Sequence, residues 1–160
     1  MYKRQLLVYP TLLRILAGVN PLTFLRKMRE PMLVAFSTSS SGATLPVTLR
    51  TVEHRIGVNN NVASFAVPLG ATINMDGTAI MQGVATVFIA QFFGYQLGVD
   101  ALLMVILTAT LASIGTAAVP GVGLITLTLV LGQVGLPIEG IGLIIGVDRL
   151  LDMLRTVVNV

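Results

Sequence analysis

Asp148, Asp152, Arg155 and Asn159 stand at i, i+4, i+7 and i+11 in an otherwise apolar C-terminal stretch. At 3.6 residues per turn this spacing holds them within an arc of roughly 60° on one helical face. The run 134–147 that leads into them carries one charge, Glu139, and the whole segment is long enough to span a bilayer. Ionisable groups at membrane depth are expensive, so they face a protein interior or an aqueous cavity and mark a substrate or ion path. Other segments must therefore enclose this face. Both signs of charge lie on it, and a zwitterion carries both signs too.

The rest of the chain supplies apolar surroundings. Apolar residues make up 54% and charged residues 11%, against about 25% charged in a soluble domain, and the mean hydropathy is +0.88. This composition predicts an all-α membrane protein embedded in a lipid bilayer. Cysteine is absent, which excludes disulfides and thiolate chemistry. The single histidine, His54, lies between Glu53 and Arg55, outside the membrane-depth constellation. A Ser/His/Asp hydrolase is thereby excluded, and no residue cluster has transition-metal spacing. The chain reads as a non-enzyme without a cofactor. Its net charge of +3 does not point to nucleic acid, because of how the charge is distributed. Lys3, Arg4, Arg14, Arg26, Lys27, Arg29, Arg50 and Arg55 all precede residue 56, and only Arg149 and Arg155 follow. The positive-inside rule places 26–29 and 50–55 on the cytoplasmic side of a multi-pass cell (inner) membrane protein.

Between those two basic clusters, 31–49 is too polar at its centre for a spanning helix, so a chain that enters and leaves on one side predicts a re-entrant hairpin over 22–57. Its Ser-rich, Gly-containing centre, 37–46, weakens a helix, and such backbone survives at membrane depth only where protein or water satisfies it. Residues 62–94 have two apolar halves around Asn74-Met75-Asp76-Gly77-Thr78, the pattern of a spanning helix broken at the midplane. A second re-entrant hairpin is predicted over 100–132, its tip at 113–123 carrying three glycines and a proline. The connections 94–100 and 132–139 lack Lys and Arg and are expected outside. The last helix is expected over 136–160, with Pro137 at its entry. Residues 6–19, interrupted by Pro10 and Arg14, read as the tail of another transmembrane helix, too short to cross about 30 Å. Residues 1–5 form a polar prefix that need not be native. The order hairpin, broken helix, hairpin, polar helix is an inverted repeat, which in secondary transporters places sites near the midplane. Residues 20–160 would then be one substrate-binding transport domain.

Each constellation has a plainer alternative. Asp152 and Arg155, at i and i+3, can neutralise one another, although that leaves Asp148 and Asn159 on the same face unexplained. Arg155 suits bidentate capture of a carboxylate and Asp152 suits an ammonium. The Ser-rich tip can be a surface loop, which does not account for its basic flanks; hairpin ends also offer free amides to a carboxylate and free carbonyls to a cation. The segment 74–78 can be a simple kink, or its carbonyls with the Asn74 and Asp76 oxygens can hold an alkali cation. Met81 and Phe88 read as packing, and only Met75, inside the break, is open to a part in the cation site. Arg149 can snorkel, pair with a carboxylate or touch substrate.

Taken together, the Ser-rich tip, Asn74-Met75-Asp76-Gly77-Thr78, the 113–123 tip and Asp148-x-x-x-Asp152-x-x-Arg155-Thr156-x-x-Asn159-Val160 resemble the dicarboxylate/amino acid:cation symporters, which include glutamate and aspartate transporters. The resemblance covers residues 6–160. It implies that Arg155 holds a side-chain carboxylate with help from Thr78. Asp152 takes the α-ammonium with Thr156 and the Ser39 and Val119 carbonyls. Asn159 and the Ser41 amide hold the α-carboxylate, and Gly123 occupies a close-approach position. Three sodium sites are implied: the Gly70, Asn74 and Asn159 carbonyls; the Thr72, Ser113, Ile114 and Thr116 carbonyls; and Asn74 with Asp76, next to Met75. Sodium ions would be coupling ions rather than cofactors, the second hairpin the extracellular gate, and the transport domain an elevator moving against a homotrimeric scaffold.

Having both Asp152 and Arg155 points to aspartate or glutamate, since dicarboxylate members of that family lack the acid and neutral amino acid members replace the arginine. Gln82 stands where mammalian members carry a glutamate tied to proton and potassium coupling, so sodium coupling without that carrier is expected. Ala118 replaces a more usual glycine, which would stiffen the tip if φ there had to be positive. Ser39 stands where some archaeal members have arginine. The resemblance further leads one to expect earlier helices and a Thr-Gly-Asp sodium ligand beyond Val160, so this C-terminal portion is expected not to transport alone. The alternatives are a C4-dicarboxylate:cation symporter of the same fold, an ion-conducting channel and a non-transporting membrane fragment.

Overall fold

The chain folds as a succession of short helices, each ended by a specific local signal, and no strand occurs among the described residues. The computed structural model describes residues 5–160, so of the expected prefix only Gln5 lies within it, as the first residue of α1 (Gln5–Leu16). α1 contains Pro10 and is followed at 110° by α2 (Pro21–Lys27). The Asn20 side chain caps α2 by accepting the Leu22 N–H at 3.0 Å, and Pro21 fills the first helical position, where its missing N–H costs nothing.

α3 (Arg29–Thr38) and α4 (Ser41–Thr51) pack as two arms joined at Ser39 and Ser40. Ser39 is the only non-glycine with positive φ among the described residues (φ 53°). Ser40 is extended, and its Oγ caps α4 by accepting the Ala43 N–H at 3.1 Å. α4 continues into a π-helical turn, Val52–Ile56, ended by Gly57 at φ 90°. Arg55 on that turn bonds Glu30 of α3 at 2.6 Å, tying the open end of the arms.

α5 (Asn60–Ile73) and α6 (Asp76–Phe92) are separated only by Asn74 and Met75. The break is narrower than the 74–78 read from sequence. The Thr78 and Ala79 N–H groups both reach the Met75 carbonyl (2.9 and 3.1 Å), which draws Asp76, Gly77 and Thr78 into the first turn of α6. α7 (Val99–Ile114) and α8 (Val122–Gln133) form a second packed pair, with Gly121 at φ 75° opening α8. Ala118 has no positive φ, so its methyl strains nothing. After Pro137, a 3₁₀ turn (Ile138–Ile141) leads into α9 (Gly142–Asn159). A Cβ on Gly140 would drive into the Ile89 side chain, so only glycine lets this turn lie against α6.

An apolar core fills the space between α6, α7, α8 and α9: Met81, Ala85 and Ile89 at i, i+4 and i+8 of α6 meet Val105, Leu127, Leu131 and Ile144. Outside it the usual distribution is inverted. Asp148, Asp152, Arg155 and Asn159 are buried, whereas Phe65, Val99, Ile106, Leu129, Ile145 and Leu150 are each more than 60% exposed. A water-soluble monomer does not expose apolar surface on that scale while burying ion pairs. Among the described residues no single helix is long and apolar enough to cross a membrane; α9 reaches 18 residues but holds four charged ones.

Candidate functional site

The 3.6-residue period of α9 turns its polar stripe inward against both helix tips and the α5–α6 break. Arg155 is 2% exposed. Its Nη2 donates to Asp152 Oδ1 at 2.6 Å and its Nη1 to Asp148 Oδ1 at 3.5 Å. The other Asp152 oxygen accepts the Gly121 N–H at 2.9 Å, so one carboxylate joins the arginine to the start of α8. Gly123 follows by necessity of space, since a Cβ there would lie 3.0 Å from both Cζ and Nη2 of Arg155. The cluster holds two carboxylates against one guanidinium, a formal charge of −1.

Asn159 fastens the stripe to the break. Its Oδ1 accepts the Gly77 N–H at 2.9 Å, its Nδ2 donates to Thr78 Oγ1 at 3.3 Å and to Met75 Sδ at 3.4 Å, and its carbonyl accepts from Asn74 Nδ2 at 3.2 Å. A Cβ on Gly77 would meet Asn159 Oδ1 at 2.8 Å and the Arg155 carbonyl at 3.0 Å, so glycine is what brings α6 this close to α9. The two tips also touch. The Ala118 carbonyl accepts from Ser40 Oγ at 2.7 Å and from the Gly42 N–H at 3.2 Å.

One cavity lies at this meeting point. All nine residues expected around substrate, Ser39, Ser41, Thr78, Val119, Gly123, Asp152, Arg155, Thr156 and Asn159, line it, together with Met75 and Thr116. Its volume is about 20 Å³, room for about one water. Ser39, one of the lining residues, has a buried Oγ with no hydrogen-bond partner among the described residues.

The sequence model of the sodium:dicarboxylate symporter family matches residues 4–160. The chain belongs to this family. It is 47% identical over 156 residues to an excitatory amino acid transporter of Caenorhabditis elegans, covering 98% of the chain and 31% of that relative. It is 50% identical over 156 residues to excitatory amino acid transporter 3 of Mus musculus (98% and 30%) and 48% identical over 156 residues to the Homo sapiens protein of that name (98% and 30%). The chain thus spans about a third of the length of these curated relatives.

For a sodium:dicarboxylate symporter family chain, the residues expected to hold sodium are more dispersed than those expected around substrate. Gly70, Asn74 and Asn159 share a second cavity between α4 and α5. Asp76, Ser113 and Ile114 share a third, beside α1. Thr116 lies in the first cavity, and Thr72 lines none of the three, its hydroxyl turned back to the Leu69 carbonyl at 2.9 Å. Met75 stands between the first cavity and the break. Among the described residues no group of three His, Cys, Asp or Glu gathers at one point.

Sequence reasoning missed the Ser40 and Gly42 contacts with Ala118, the tie between Gln82 Nε2 and Thr126 Oγ1 (2.6 Å), and the hydrogen bond from the Tyr9 hydroxyl to Asp76. A buried glutamine and a lone tyrosine in an apolar segment were the available signals.

Proposed function

We propose that this chain is the substrate-binding core of a sodium-coupled symporter for acidic amino acids, aspartate or glutamate. The buried Arg155–Asp152 pair, opening on a cavity where both tips and the helix break meet, carries the reading. Arg155 receives the side-chain carboxylate with Thr78; Asp152 receives the α-ammonium with Thr156 and the Ser39 and Val119 carbonyls; Asn159 and the Ser41 amide take the α-carboxylate. Gly123 leaves room for the guanidinium. A substrate larger than one water enters only if Arg155 turns from Asp152 or the 115–121 tip withdraws. Both changes are coupled, because Asp152 holds Arg155 and Gly121 at once.

Charge explains the ion requirement. An acidic amino acid carries −1, and the cluster it joins is also −1. Bringing them together in a low-dielectric interior is costly unless cations accompany the substrate. We assign those cations to the Gly70, Asn74 and Asn159 carbonyls, to the Thr72, Ser113, Ile114 and Thr116 carbonyls, and to Asn74 and Asp76 beside Met75. The two packed pairs act as re-entrant hairpins of an inverted repeat, 22–57 opening to the cytoplasm and 100–132 to the outside as the gate. The 20–160 domain moves as an elevator against a homotrimeric scaffold.

Labelled aspartate binding to the purified chain in lipid nanodiscs tests the site. Binding is expected in sodium and absent in choline. A graft of the chain into the matching 156 residues of the Mus musculus relative is expected to take up aspartate only down a sodium gradient. Equal binding in choline would sink the proposal; succinate competing as well as aspartate would favour a dicarboxylate carrier, and currents that need no substrate a channel.

A further inference from the structure

We propose that Tyr9 is a positioning residue for the Asn74 and Asp76 oxygens and so sets the strength of cation binding at the α5–α6 break. The inference rests on reading those two residues as alkali-cation ligands. Tyr9 belongs to α1, 65 and 67 residues away in sequence, yet its hydroxyl lies 2.7 Å from Asp76 Oδ2 and 3.4 Å from Asn74 Oδ1.

A phenol has one proton to donate. The shorter contact has the length of a charge-assisted hydrogen bond to a carboxylate, so the proton goes to Asp76 and the Asn74 contact is secondary. These oxygens come from opposite sides of the break, Asn74 ending α5 and Asp76 opening α6. Among the described residues Asp76 accepts no other side-chain hydrogen bond, and it is exposed. Without Tyr9 its carboxylate is free to swing away. Asn74 Nδ2 is already held by the Asn159 carbonyl, which leaves Oδ1 facing the hydroxyl. The hydroxyl thus fixes the Asp76 carboxylate while lying beside Asn74 Oδ1. Bonding at Oδ2 leaves Oδ1 of Asp76 open to a cation. Tyr9, Asp76, Ser113 and Ile114 border the same cavity of about 490 Å³, wide enough for a hydrated ion to arrive.

The test is a sodium titration of the purified chain in nanodiscs, read by thermal unfolding at constant ionic strength with choline as the replacement. Tyr9→Phe keeps the ring and removes the hydroxyl. The sodium concentration for half-maximal stabilisation is expected to rise about tenfold, which corresponds to about 1.4 kcal/mol. If Tyr9 only staples α1 to α6, Tyr9→Phe lowers the unfolding temperature equally at every sodium concentration and leaves the midpoint in place; that result overturns the proposal. A midpoint shifted to lower sodium overturns it as well, since the hydroxyl would then compete with the ion. Asp76→Asn is the check on the reading beneath. A wild type that sodium does not stabilise, or an Asp76→Asn chain that responds as wild type does, overturns the cation assignment and Tyr9's role with it. A weakened Asp76→Asn beside an unchanged Tyr9→Phe removes Tyr9 alone.

Discussion

Replacing Gly123 by alanine separates binding from folding more cleanly than removing a charge. The new Cβ would lie 3.0 Å from Cζ and Nη2 and 3.2 Å from Nη1 of Arg155, so the guanidinium must give by a few tenths of an ångström. It has little room to do so, because Nη2 is already 2.6 Å from Asp152. A charge-assisted hydrogen bond of the kind Arg155 is proposed to give the substrate carboxylate contributes about 1.5–3 kcal/mol, and displacing the guanidinium from the place where it makes that bond weakens aspartate binding roughly 10- to 100-fold. Folding should not suffer in proportion, since glycine to alanine within a helix favours the helix by up to about 1 kcal/mol. Gly132 lies on the same helix with nothing within 4 Å of its would-be Cβ, so Gly132→Ala is the control. Sodium-dependent binding of labelled aspartate and thermal unfolding are measured on both variants. We expect Gly123→Ala to lose affinity while its unfolding temperature stays within a few degrees of wild type, and Gly132→Ala to bind normally. Affinity within twofold for Gly123→Ala would refute the packing of this residue against the arginine as a determinant of binding.

At Gly77 the obstacle is backbone and Asn159 rather than a mobile side-chain end, so Gly77→Ala should lower stability by about 1–3 kcal/mol, seen in thermal unfolding. Asp152→Asn keeps the shape but removes the charge offered to an ammonium; aspartate affinity should fall at least tenfold while succinate competition, in the same binding assay, does not. Ser40→Ala loses the α4 cap and the hydrogen bond to Ala118, together about 2 kcal/mol, which unfolding and faster release of bound aspartate should both report. Arg55→Gln at the exposed pair with Glu30 should change stability by less than about 1 kcal/mol.

Periodicity made part of this molecule legible. Asp148, Asp152, Arg155 and Asn159 could be placed on one buried face because burial repeats every turn, and a helical pattern is local. The helix break was visible as Asn, Asp and Gly within an apolar run, but its width was not, since the Met75 carbonyl caps α6 through bonds that composition does not reveal. Contacts across long stretches of chain were out of reach. Ser40 and Ala118 are 78 residues apart and Tyr9 and Asp76 are 67 apart, and one sequence contains no record of such pairings. The same holds within one helix for Thr72, whose hydroxyl bonds the Leu69 carbonyl at 2.9 Å, a choice of partner that composition does not reveal.

The charge carried by α9 also makes this helix dependent on the rest of the chain. Entering a bilayer alone, four charged residues near the middle of a helix would cost on the order of 10 kcal/mol, while its nine Leu, Ile and Val residues would return at most about 5 kcal/mol. α9 therefore does not insert by its own hydrophobicity. Its charged and polar groups are met instead by partners from elsewhere in the chain, the Gly121 amide on Asp152 and the Gly77 amide on Asn159, so α9 depends on the tip and the break for a place in an apolar interior.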